Sequence, residues 1–358
     1  MRPDALELDE TPNPEAAPRT LASLDRDAVM LALSGGSVVD WTGLAFRSRD
    51  EVDRFLALWL LDVRNEPWAR ERLAYLYNQA VNYLEEHVGL TFKPDLRRPS
   101  DVRDAFLVAS VRERFSRDRI QVCAILKLMH VINHLEMQQL KAESAFREID
   151  LIDLANAKIV AAAERMRAEG LPIVAFYGNR KTRPSVITKL LAKREATATT
   201  VFDKLRFRVV TDTREDVLPA LAWLLRNVVP FPCVIPGESH QNLFTAEELA
   251  DFAADAPELR NILRPMQASA NHASGSTYRV VNFIADLPVR VYDLPGTAMP
   301  RNRVLLGETV TVMVELQVVD AATAAANESG DNRHDLYKAR QVAKVLARLG
   351  RSSGRETT

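Results

Sequence analysis

The spacing of apolar residues changes character once along this chain, near Gly170, and that switch limits the fold more than any single motif does. Before it, apolar positions recur with a helical period. The run FLALWLL follows Ser48 and Glu51, a hydroxyl and a carboxylate three apart that form a capping box. Further helices are predicted at Ala69 to His87, Ser100 to Glu113, Arg119 to Lys141 and Leu151 to Glu169, separated by Pro- and Gly-bearing stretches such as GLTFKPDLRRP. The Arg119 to Lys141 segment is apolar on nearly every side, which predicts a central, buried helix. After Gly170 short β-rich runs appear: PIVAFYG, LRFRVVT, STYRVVNFIA, PVRVYDL and VTVMVELQVV. They alternate with helices predicted at Arg183 to Arg194, at Glu215 to Asn227 behind Thr213 and Asp216, at Thr245 to Ala254 behind Thr245 and Glu248, and at Asp331 to Leu349. The pattern predicts an α+β chain: an all-α helical domain over 23–170, then a mixed-sheet α/β domain over 171–350. Proline, charge and small polar residues make 1–22 and 351–358 expected disordered tails.

Composition narrows the function classes. The 47 basic and 48 acidic residues leave a net charge of -1, so the overall balance demands neither nucleic acid nor an anionic membrane, and a charge-driven site must be local. The cysteines are Cys123 and Cys233, far apart and without a C-x-x-C pair, which argues against a disulfide framework or a zinc site and fits a reducing cytoplasm. The opening MRPDALELDETPNPEAAPRT has no apolar core and reads as neither signal peptide nor anchor, and charges break the other apolar runs, so no membrane association is expected. His130 and His134, four apart with Glu136 nearby, have metal-ligand spacing, but on so apolar a helix packing is the favoured reading. Trp41, Trp59 and Trp68 read as core anchors of the helical half.

Three stretches carry residue types suited to phosphate chemistry. In GNRKTRPSVITKLLAKR a strand turns at glycine into a helix that begins at Pro184 and Ser185, with Arg180, Lys181, Arg183, Lys189, Lys193 and Arg194 crowded around it. Exposed amides, the helix dipole and cations together make an anion site, with Ser185 and Lys189 on one face; a solvated basic helix is the plainer alternative. In FDKLRFRVV, Asp203 precedes a strand whose Leu205, Phe207 and Val209 point one way and whose Arg206 and Arg208 point the other. Asp203 is a candidate magnesium ligand, or else a turn cap or a partner of Lys204. In VTVMVELQVVD, Val310, Val312, Val314, Leu316 and Val318 form an apolar face and Thr311, Met313, Glu315 and Gln317 the opposite one. Glu315 in so apolar a strand needs water, a cation, or an ion pair with Arg206 or Arg208. Cations around a polyphosphate, with a metal on Asp203 and Glu315, are what metal-assisted phosphoryl transfer requires.

In order and spacing these motifs resemble the synthetase domain of RelA/SpoT alarmone enzymes, over about Phe176 to Arg340. The resemblance implies a nucleotidyltransferase-like fold and a magnesium-dependent pyrophosphokinase that moves pyrophosphate from ATP to the 3′-hydroxyl of GDP or GTP. It places Lys181, Ser185 and Lys189 on the phosphate-contacting positions, with Arg180 beside them, and Asp203 and Arg208 on the next motif. It places Tyr278 on the tyrosine that stacks on the acceptor guanine, Glu315 and Gln317 on the E-x-Q pair, and His334, Tyr337 and Lys338 near the closing motif. Asn179, Asn282, Val319 and Asp320 stand where the family carries arginine, histidine, arginine and threonine. These departures motivate an alternative, a catalytically silent nucleotide-binding regulator with a protein partner or second copy on its helical half. A further alternative is pyrophosphate transfer to an RNA 3′ end, which would need a basic groove that the sequence does not display.

Overall fold

In the computed structural model the described residues are 29, 46–111, 116–144, 146–180, 183–192, 205–235, 239–252, 278–294, 303–329, 342–347 and 349. The expected tails 1–22 and 351–358, Trp41 and most of the predicted Asp331 to Leu349 helix lie outside them; within that helix 342–347 is helical.

The helical half comprises α1 (Arg49–Leu58), α2 (Pro67–Val88), the single turn α3 (Pro94–Arg97), α4 (Arg103–Ser110), α5 (Arg117–Glu143) and α6 (Glu148–Ala168). Local chemistry fixes their ends. The Ser48 hydroxyl accepts from the Glu51 amide at 3.3 Å, while the Glu51 carboxylate reaches back to the Arg47 amide at 2.7 Å, one residue earlier than in the usual reciprocal box. Pro67 opens α2 without wasting a donor, and Gly89 closes it in the left-handed region at φ 74°. The expectation that α5 is buried all round needs correction. Val122, Ile125, Leu126 and Met129 are buried, yet Ile120, Val131 and Leu135 on other faces are exposed, because α2, α4 and the sheet do not surround the helix.

Five strands follow: β1 (Ile173–Arg180), β2 (Leu205–Thr211), β3 (His240–Gln241), β4 (Val281–Arg290) and β5 (Thr309–Asp320), with α7 (Arg183–Ala192), α8 (Val217–Asn227), α9 (Ala246–Phe252), α10 (Arg303–Leu306) and α11 (Ala321–Asn327) among them. The sheet order is β1-β2-β5-β4-β3; β2 and β5 are parallel and the other neighbours antiparallel. The fold is thus α+β with a mixed sheet, as the sequence predicts. The runs STYRVVNFIA and PVRVYDL, read as two strands, contribute to one, β4, which continues through Pro288 opposite Thr311. The proline ends no strand here: it retains its carbonyl as an acceptor, which takes a bond from Lys158 Nζ at 2.8 Å.

Alternation splits the sheet into two unlike faces. Val310, Val312, Val314, Leu316 and Val318 of β5 join Phe207 of β2 and Phe283 of β4 on an apolar face packed against α6 and α8. Each such side chain contributes about 1.5–3 kcal/mol on burial. The buried residues of the helical half and of the sheet form one continuous core.

Arg72 of α2 ties the two halves together. Its guanidinium is 1% exposed and donates to the carbonyls of Val304 and Leu305, at 3.1 and 2.5 Å, and to Asn133 Oδ1 at 2.8 Å; it also pairs with Glu136 at 2.7 Å. Glu136, one of the three residues with metal-ligand spacing on α5, therefore balances a buried cation instead. Gly307, at φ 73°, lets the chain turn over this guanidinium into β5, and the buried Glu308 beyond it faces Arg303 at 2.9 Å and Arg290 at 3.2 Å.

Candidate functional site

The polar face of the sheet is assembled by register. Parallel pairing of β2 with β5 sets Arg206 opposite Glu315 and Arg208 opposite Gln317. Antiparallel pairing sets Asn282 of β4 opposite Gln317 and His240 of β3 opposite Asn282, while Tyr177 and Asn179 of β1 lie opposite Arg208 and Arg206. Alternation puts all of them on the face away from α6 and α8, so one polar row, Tyr177–Arg208–Gln317–Asn282–His240, crosses every strand.

Hydrogen bonds run along that row. Arg208 donates through Nε and Nη2 to Gln317 Oε1, at 3.1 and 3.0 Å. Gln317 Nε2 donates to Asn282 Oδ1 at 3.2 Å and to Glu315 Oε1 at 3.1 Å, and Asn282 Nδ2 lies 3.5 Å from His240 Nδ1. Arg206 Nε donates to Glu315 Oε2 at 2.8 Å, so of the partners weighed for Glu315 the structure selects the cross-strand arginine. Glu315, Gln317 and Asn282 are buried, whereas Arg206 and Arg208 are partly exposed. Burial pushes the His240 imidazole below its ordinary pKa, and the charge of Glu315 acts in the opposite direction.

Tyr278 stands at the edge of this row. Its hydroxyl accepts from Arg208 Nη2 at 3.0 Å. Asn242 donates to the Tyr278 carbonyl and accepts from the Val280 amide, both at 2.7 Å; Asn327 of α11 brackets Arg279 from the other side, accepting from its amide at 2.9 Å and donating to its carbonyl at 2.6 Å. Two asparagine clamps thereby hold the segment that enters β4.

Of the residues singled out in the sequence, Arg208, Tyr278, Glu315 and Gln317 come together. Arg180 does not join them: alternation along β1 turns it to the opposite face, where it pairs with Asp153 of α6 at 3.5 Å. Ser185 lies in the first turn of α7 and is partly buried; Lys189 belongs to the same helix. Lys181, Asp203 and His334 lie outside the described residues, as does the Lys189 side chain. Sequence reasoning missed His240 and the clamps Asn242 and Asn327. A strand of two residues carries no readable period, and asparagines in loops carry none either.

The resemblance implies magnesium on Asp203 and Glu315. Among the described residues, no group of three His, Cys, Asp or Glu side chains could hold a metal ion, and both oxygens of Glu315 already accept, one from Arg206 and one from Gln317. A guanidinium thus balances Glu315 where a hard cation is implied, and Asp203, the second residue implied for the metal, lies outside the described residues. What they do provide is a cationic, donor-bearing surface with an aromatic ring at its edge.

No family model matches the chain, and no curated protein matches it. Among solved structures it is similar to the small alarmone synthetase 1 from Bacillus subtilis, with 13% identity over 58% of this chain and 88% of that one, at a TM-score of 0.32. The same synthetase bound to its product pppGpp aligns with 12% identity over 58% of this chain and 93% of that one, at a TM-score of 0.32. A GTP pyrophosphokinase family protein from Streptococcus pneumoniae aligns with 13% identity over 58% and 92% of the two chains, at a TM-score of 0.29.

Proposed function

We propose that the polar face of the sheet binds a nucleoside polyphosphate and that the protein is a divergent pyrophosphokinase of the alarmone-synthetase type, moving pyrophosphate from ATP to the 3′-hydroxyl of a guanine nucleotide. The observation that carries this reading is the joint placement of Arg208, Gln317, Glu315 and Tyr278 in one hydrogen-bonded group. Arg208 and Arg206 supply charge for phosphate oxygens, the Tyr278 ring supplies a stacking surface for a base, and Glu315 supplies an acceptor for the attacking hydroxyl. Lys181, Ser185, Lys189 and His334 belong to the proposal as phosphate-side residues on the strength of their motif positions, whereas Arg180, turned to the other face and paired with Asp153, is left out of it. No step is assigned to magnesium, since Asp203, the other residue implied for it, lies outside the described residues.

The Arg206–Glu315 pair favours a second reading, nucleotide binding without transfer, because a carboxylate held by a guanidinium is less available to a substrate hydroxyl. One assay separates the two. Purified protein is incubated with γ-labelled ATP, magnesium, and GDP, GTP or bulk tRNA, beside Glu315→Ala. A labelled product lost in the variant supports transfer and names its acceptor. Saturable nucleotide binding with no product selects the silent regulator, and neither binding nor product removes both.

A further inference from the structure

The polar row has a direction. Arg208 can only donate, so Gln317 must turn its carbonyl oxygen toward β2. Its amide nitrogen then faces Asn282 Oδ1 and Glu315 Oε1, and a carboxylate confirms that orientation from the far side. With its oxygen committed to Gln317, Asn282 presents its amide nitrogen to His240 Nδ1. A donor facing Nδ1 requires a lone pair there, which leaves the proton of the neutral ring on Nε2. Among the described residues no protein group bonds Nε2. The charged groups on the same face are Glu315 of β5 and Arg206 and Arg208 of β2, with Asp286 and Arg290 further along β4, and burial opposes protonation of the ring.

We infer that His240 is a further binding residue of this site, a neutral imidazole that offers Nε2–H to an acceptor oxygen of the bound nucleotide, with Gln317 and Asn282 as positioning residues that set its tautomer from Arg208. This rests on the nucleotide reading of the site, deepens it, and assigns the β3 edge a role in it. Any ligand spanning Arg208 and His240 meets a guanidinium at one end of the row and a fixed neutral donor at the other.

The test uses the full chain labelled with 15N-histidine, His240→Gln to assign the signal, and two-bond proton–nitrogen correlation spectra without nucleotide and with GTP or ATP. The expected spectrum without nucleotide at pH 7 is that of the Nε2–H tautomer, and Asn282→Asp, which turns an acceptor toward Nδ1, moves the proton to Nδ1. Nucleotide shifts the His240 nitrogens. His240→Gln, whose amide still donates, keeps affinity within about threefold, while His240→Leu loses about tenfold with an unchanged melting temperature. An Nδ1–H or imidazolium spectrum in the wild type, or no response to Asn282→Asp, overturns the inference. If calorimetry shows that nucleotide binds while the His240 signals stay fixed, the inference fails and the nucleotide reading survives. If neither nucleotide binds, both fail.

Discussion

Tyr278 and His130 show how one side chain's surroundings set what it can do. The Tyr278 hydroxyl takes one bond from Arg208, but its ring is the part suited to a base. Tyr278→Phe is therefore expected to weaken nucleotide binding no more than about threefold, and Tyr278→Ala by about tenfold to a hundredfold, the range for one lost stacking contact. Fluorescence titration with GTP checks the contrast, and equal losses in both variants would sink the stacking role. His130 packs edge-on against Trp59, ring centroids 5.2 Å apart, and burial, aided by the nearby His134, pushes its pKa down to about 4 from an ordinary 6.5. Above pH 6.5 folded and unfolded chains both carry the neutral ring and stability is complete; as pH falls from 6.5 toward 4 only the unfolded chain takes up the proton. That window should cost up to about 3 kcal/mol, and His130→Phe should flatten it in urea melts at pH 7 and pH 4.5. Residue types, spacing and alternation made the pairing of Glu315 with a cross-strand arginine legible as one of several options; only the parallel register of β2 and β5 decided it. His240 was illegible because its partner Asn282 lies 42 residues away.

At the scale of elements, the caps at Ser48 and Thr245 and the strand β5 were legible, while the start of α8, which begins at Val217 without a side-chain cap, and the continuity of β4 were not. The Ser48 and Thr245 boxes form at helix starts, since their chemistry is complete within four residues. The α5 sequence, apolar all round, misled because exposure depends on which neighbours arrive, and β4 was split in two because proline usually breaks a ladder. The central strand carries far more stability than any cap. Leu316→Ala, at a fully buried position between β2 and β4, should cost about 2–5 kcal/mol, against about 1 kcal/mol for Ser48→Ala. Chemical denaturation of the two variants checks the order, and comparable losses would contradict the placement of β5 at the centre of the core.

Across the whole molecule, Arg72 is where the helical half and the sheet meet: one guanidinium of α2 holds α5 through Asn133 and Glu136, and the approach to β5 through two carbonyls. Burial lowers the pKa of Arg72 and the charge of Glu136 raises it, the balance expected of a desolvated pair. Arg72→Ala should destabilise by about 3–5 kcal/mol by stranding Glu136, and adding Glu136→Leu should restore part of the loss. A double-mutant cycle from urea melts measures this, and strict additivity would show that the pair is not coupled. Nothing in the sequence pairs Arg72 with Glu136 or with the turn at Gly307, because helical period reports faces and not partners.

The nucleotide reading proposed for the polar row is tested most directly by calorimetric titration of the purified protein with GTP, wild type against Arg208→Ala. Saturable binding that weakens about tenfold to a hundredfold in the variant, with the fold intact by circular dichroism, is the predicted result. Binding of equal affinity in both proteins, or no binding by the wild type, would contradict the assignment of this face as the nucleotide site.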